Sequence, residues 1–106
     1  MKPAEFLLKK ARARAARDML PCTLTVADIE AVWPEDGCCP ALDIPLSRGT
    51  GFVHDGSPTL DRLRNNAGYV AGNIAVLSLK ANRAKGHLTA DELEQIAAWM
   101  RRNGLD

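Results

Sequence analysis

The chain has no apolar run long enough to cross a bilayer, which excludes a helical membrane span from the sequence. Its N-terminal stretch lacks the apolar core and small-residue cleavage site of a secretory signal. It has almost no net charge: 14 Lys+Arg against 13 Asp+Glu leave +1, so no global basic balance announces a polyanion partner. Cysteine is scarce and odd in number, three in all with Cys38 and Cys39 adjacent, which excludes an ordinary disulfide framework. There is no internal repeat and no low-complexity segment. At 106 residues, these absences predict one domain with a modest core, in the cytoplasm, with reduced thiols and no membrane partner.

What is present is unevenly placed. Six basic residues fall between Lys2 and Arg17, and Arg62, Arg64, Lys80 and Arg83 follow Asp61 with no acid among them. The acids gather at Asp28 to Asp43 and at Asp91 to Glu94. That distribution fits a polyanion-binding face on a near-neutral protein, and fits ordinary solvated helix faces equally well.

Read in order, Pro3 to Met19 predicts a helix, rich in Ala, Leu, Lys and Arg with a proline in its first turn. Leu8, Ala11, Ala15 and Met19 make its apolar stripe, and Lys10, Arg14 and Arg17 share another face. Thr25 and Asp28 form a capping box opening a short helix, Val26 to Val32, with Ile29 inward and Trp33-Pro34 as its stop. Leu42 to Leu46 alternates like an edge strand that tolerates a proline. Cys38 and Cys39 invite a zinc reading. However, the paired cysteine spacing of structural zinc sites is missing, with only Cys22, His54 and His87 to complete a set, so zinc is not expected. Ser47 to Ser57 reads as a polar, glycine-rich loop holding His54.

The organising stretch is Ser57 to Gly86. Thr59 to Leu63 is a short run, Arg64 to Gly68 is turn chemistry, Tyr69-Val70 is extended, and Ile74 to Leu77 is strand-like. Ser78 then caps a helix from Leu79 to Lys85 that Gly86 closes. A hairpin running into a short helix cannot enclose a core of its own, yet this one carries Asp61, Arg62, Asn73, Asn82, Arg83 and Lys85. Polar groups within a structured element need partners, among which a metal or a phosphate is frequent. Beyond it, Thr89 and Glu92 make a second capping box, and Leu93, Ile96, Ala97 and Met100 define an amphipathic helix from Thr89 to Asn103, expected to pack beside the first helix.

The block Leu60-Asp61-Arg62, Gly68-Tyr69-Val70, Gly72-Asn73, Ala81-Asn82 and Lys85 resembles the ββα-metal motif of HNH, or His-Me finger, endonucleases. From Cys39-Pro40 through Lys85 it is similar to a phage- and prophage-type branch of them. The resemblance implies an α+β domain over residues 1–106, with a basic helix at 3–19, a ββα core at 57–86 and a C-terminal helix at 89–103. Its two long helices would brace the centre. It implies a metal-dependent DNA endonuclease that hydrolyses phosphodiester bonds. Asp61 and Asn82 would hold a divalent ion, Mg²⁺ before Mn²⁺, and Asn73 would orient the catalytic group. Arg62 stands where the family has its general-base histidine. Arginine stays protonated and takes no proton from water, and general-base catalysis is worth about 10²–10⁴-fold. Arg62 would then clamp the scissile phosphate, with hydroxide or His54 as base. Arg83 and Lys85, with Lys10, Arg14 and Arg17, would engage the nucleic-acid backbone.

Apart from the family, a carboxylate and a carboxamide oxygen suit a hard cation such as Mg²⁺, with water and phosphate oxygens completing its shell. The same residues also fit a plainer arrangement, in which Asp61 and Arg62 form an ion pair while Asn73 and Asn82 satisfy turn and cap backbone groups. Two further functions stand beside the nuclease: a nucleic-acid-binding protein on the same scaffold that no longer cuts, and a phage-derived protein that binds and blocks a host protein.

Overall fold

The computed structural model describes residues 2–48 and 51–106, so part of the predicted Ser47–Ser57 loop lies outside the described residues. Among them the fold is α+β, with four helices and one two-stranded antiparallel sheet.

The first helix, α1, spans Pro3–Asp18 and buries Ala4, Leu7, Leu8, Ala11 and Ala15. The stripe predicted to reach Met19 stops at Ala15. Met19 adopts a left-handed φ of 57° as the C-cap and is 91 % exposed, because that conformation turns the chain away from the helix axis. The capping box opens α2, Val26–Ala31, with Thr25 N donating to Asp28 Oδ2 at 2.9 Å and Asp28 N to Thr25 Oγ1 at 3.3 Å. Ile29 faces inward and is fully buried.

Leu42 to Leu46 is not a strand. Asp43 sits at φ 58°, which no extended strand accommodates, and only an isolated bridge between Cys38 and Pro45 survives of the predicted pairing.

The sheet pairs β1 (Pro58–Arg62) with β2 (Ile74–Ser78), Thr59 opposite Leu77, Leu60 opposite Val76 and Asp61 opposite Ala75. Side chains alternate across a strand, so the hairpin has two different faces. Leu60, Ile74 and Val76 join the α1 residues, Leu24, Ile29 and Tyr69 in the main core. On the other face Leu77 meets Ala81 and Cys39 in a smaller cluster under α3, Leu79–Lys85. Ser78 caps α3, its buried Oγ accepting from Ala81 N at 3.1 Å.

The segment between the strands is tied back to the end of α1. Tyr69 N donates to Pro21 O at 2.9 Å, and Thr23 N donates to Tyr69 O at 3.1 Å. Gly68 permits this approach, since a Cβ there would lie 2.4 Å from Pro21 O.

The last helix, α4 (Ala90–Arg102), starts with both bonds of its predicted capping box, but it buries no residue. The expectation that it packs beside α1 and braces the centre is therefore corrected: α1 packs on the hairpin, and α4 stands apart. The radius of gyration, 14.9 Å with extents of 44 × 32 × 23 Å, exceeds the about 13 Å of a compact chain this long. No helix among the described residues is long and apolar enough to cross a membrane.

Candidate functional site

The free edge of β1 opens into a cleft of about 630 Å³ between α1 and α3. Lys10 and Arg14 line it from α1, Thr59 and Leu60 from β1, Asn82 and Arg83 from α3, and Arg48 from the loop before β1. Of the predicted backbone-binding cations, Lys10, Arg14 and Arg83 are thus brought together. Arg17 is not: it lies exposed beside Asp18, 3.4 Å away.

Behind the cleft, α3 lies on the Thr59–Asp61 face of β1. Asn82 and Lys85 are one turn apart on the helix, and Thr59 and Asp61 are two residues apart on the strand, so the four form a seam. Asn82 Nδ2 donates to Thr59 Oγ1 at 2.9 Å, and Thr59 Oγ1 donates in turn to Leu77 O at 2.9 Å. This chain of bonds commits the Asn82 nitrogen and leaves its carboxamide oxygen outside it. Asp61 Oδ2 lies 3.0 Å from Lys85 Nζ. That oxygen is buried and accepts no aligned hydrogen bond, so the contact is a bare ion pair. Asp61 and Asn82, predicted as the metal ligands, therefore occupy one seam, with Lys85 paired to Asp61 beside them.

Arg62 goes the other way. As the neighbour of Asp61 on a strand it emerges on the opposite face. There it donates through one guanidinium nitrogen to Asn65 O at 2.8 Å and Ala67 O at 3.2 Å, and lies 5.3 Å from the centre of the Tyr69 ring. Arg14 approaches the same ring at 5.5 Å and donates to Leu60 O at 3.4 Å. The ion pair between Asp61 and Arg62 that the sequence allowed is not formed, and Arg62 holds the hairpin turn. Two cations on one aromatic ring join that turn to α1.

Asn73 is buried and clamps the same turn. Its Oδ1 accepts from Arg64 N at 2.9 Å, while Nδ2 donates to Arg64 O at 3.2 Å and Gly68 O at 2.9 Å. His54 lies in the turn leading to β1, where its Nδ1 accepts from Gly56 N at 3.1 Å. That bond engages Nδ1 and leaves Nε2 as the other ring nitrogen.

Sequence reasoning missed Thr59, Arg48 and Tyr69. Strand alternation from Asp61 points to Thr59, whereas nothing in the local sequence marks Arg48 as a residue of the cleft or Tyr69 as the ring that Arg14 and Arg62 share. It also missed a small group, exposed Asp36 and Asp43 with half-buried Cys38, whose ligand atoms lie within 4.8 Å of one another. Desolvation, and then the charges of Asp36 and Asp43, push the Cys38 thiol up. Burial also acts to raise Cys39, but hydrogen bonds from the Ser78 side chain and from the backbone of Ser78, Leu42 and Ala41 outweigh it and hold that thiol below its ordinary range.

Two buried side-chain polar atoms of the described residues have no hydrogen-bond partner, Arg14 Nε and Asp61 Oδ2. One is a donor on α1 and the other an acceptor on β1 itself. Asp61 Oδ2 has the Lys85 ammonium 3.0 Å away; an unsatisfied buried polar atom calls for an explanation, of which a bound ion or water is one. No family model, curated protein or solved structure matches this chain.

Proposed function

We propose that the protein is a metal-dependent DNA endonuclease of the HNH type, working at the β1–α3 seam. The observation that carries this reading is the Asp61 carboxylate, its Oδ2 buried and met by Lys85, one strand step from the Thr59–Asn82 bond, whose two residues line a cleft rich in cations. The donor set fits the ion that the resemblance implies: Asp61 and Asn82 would offer two hard oxygens, and Asp61 Oδ2 has only an ammonium beside it. When bound, a divalent ion would polarise a phosphoryl oxygen and lower the pKa of a bound water.

The chain's own residues supply the rest. Lys10, Arg14, Arg48 and Arg83 draw a phosphodiester backbone along the free edge of β1. Thr59 fixes the Asn82 carboxamide. Lys85 neutralises Asp61, and an incoming phosphate competes for its ammonium. Arg62 and Asn73 keep the hairpin turn in one shape and so position Asp61; neither is turned toward the seam.

A second reading has its own support. The Asp61–Lys85 ion pair, together with an arginine where a base is needed and facing away, favours a nucleic-acid-binding protein that does not cut.

A plasmid-nicking assay with Mg²⁺ or Mn²⁺ separates the two. The nuclease reading expects nicking that falls at least about 10²-fold in Asp61→Ala, with DNA affinity retained. Unchanged nicking in that variant would remove Asp61 from the chemistry. DNA binding without any nicking would leave the second reading. In either case affinity falls steeply with salt, and replacing Arg83 lowers the salt slope by about one.

A further inference from the structure

The helix least used by the fold is the one with the clearest apolar stripe. In α4, Leu93, Ile96, Ala97 and Met100 share a face, yet no residue of the helix is buried. Ile96 and Trp99 are about half exposed, at 46 % and 52 %. A helix of 13 residues is near the lower limit of what persists alone in water, even when capped. A single apolar residue on a surface needs no explanation, but a capped helix whose stripe stays open, with Leu93, Ala97 and Met100 only half-buried and Ile96 exposed, does.

The charges beside the stripe say what covers it. Glu94 and Arg101 are seven residues apart, two turns along one edge. Glu92 and Trp99 hold the same spacing along the other edge. Neither Glu94 nor Arg101 has an opposite charge three or four residues away, and among the described residues neither enters an ion pair. When two such helices pack antiparallel, like edges meet and the ends are exchanged. Glu94 of each then faces Arg101 of the other, once on each side of a two-fold axis. Ala97, small and on the same side of the stripe, leaves room for both long side chains to reach across. A parallel pair brings unlike edges together and sets Glu94 beside Glu92, which repel.

We propose that α4 is a self-association surface, pairing antiparallel with α4 of a second copy of this chain. The proposal stands apart from the nuclease reading, since it uses none of the seam residues. The helix is only about 20 Å long, and its stripe falls short of the roughly 800 Å² per partner of a standard interface. The dimer is therefore weak, with a dissociation constant on the order of micromolar or higher.

The test is sedimentation equilibrium of the full chain at low salt, across protein concentrations spanning that range. The wild type is expected to pass from monomer to twice the protomer mass, with Ile96→Glu monomeric throughout. Glu94→Arg sets like charges together at two places and is expected to weaken association at least about tenfold. The double variant Glu94→Arg/Arg101→Glu restores the pairing by exchanging the charges. Because α4 contributes nothing to the core, far-UV circular dichroism of each variant serves to show that the helix is retained. A wild type that stays monomeric overturns the proposal. So does a dimer indifferent to Ile96→Glu. So does a charge defect that the exchange fails to repair while helicity is intact.

Discussion

The two long helices, α1 and α4, contrast in how the molecule uses them. α1 is crowded with alanine and separates its apolar and polar sides loosely, yet five of its residues are buried. α4 has cleaner sides and a complete capping box, yet buries none. Small residues at Ala11 and Ala15, exposed 0 % and 2 %, let the α1 backbone come close to the hairpin, and Arg14 adds a bond to Leu60 O. The lesson is that an amphipathic pattern shows that a helix has a face to cover and does not say what covers it. For α1 the cover is the sheet; among the described residues none of α4 is buried.

Substitutions on the two sides should separate these regions cleanly. The largest effect belongs to Leu60→Ala, which empties a position only 2 % exposed between α1 and β2. It should cost about 2–5 kcal/mol in urea unfolding, against a change within about 0.5 kcal/mol for Ile96→Ala measured at concentrations where the chain is monomeric. Comparable losses from the two would mean that α4 is part of the core after all. Next comes Gly68→Ala, whose new Cβ would fall 2.4 Å from Pro21 O. Overpacking there should destabilise the fold by about 1–3 kcal/mol, and an unchanged urea midpoint would show that the α1–hairpin tie is loose. The smallest effect is Thr89→Ala. It removes the cap of α4 and should cost that helix about 1 kcal/mol locally, read as faster amide exchange in α4 with no change in the exchange of β1 and β2. A loss of protection in the strands would join the regions that the burial pattern divides.

Much of the fold was legible because it is local. Thr25 with Asp28 and Thr89 with Glu92 each place a hydroxyl and a carboxylate three residues apart, and such pairs cap helices wherever the chain goes. Ser78, with the apolar run before it, marked the strand-to-helix passage of the ββα unit in the same way. Leu42 to Leu46 misled because apolar alternation survives in a turn: Asp43 tolerates the left-handed region, and one such residue ends a strand. Met19 misled because helical spacing continued one residue past the point where the backbone turned.

The site was legible in part. Asp61 and Asn82 were readable as two oxygen donors on elements that must meet, and the structure sets them on one seam. That Asp61 would pair with Lys85 and not with Arg62 was hidden in adjacency. Next-door residues on a strand face opposite ways, so the nearest charge in sequence was the one Asp61 could not reach. Tyr69 was unreadable as a meeting point for Arg14 and Arg62, because its partners come from α1 and from β1.

The amino-acid order alone settled where helices begin and that the chain has no apolar run long enough for a membrane-crossing helix, since caps, periodicity and run length depend on neighbours within a few residues. Tertiary structure alone decided which charges face one another, that a cleft with Lys10, Arg14, Arg48 and Arg83 lies along β1, and that α4 buries no residue. Those outcomes depend on distances between segments far apart in the chain, and such distances are set by how all the pieces pack at once.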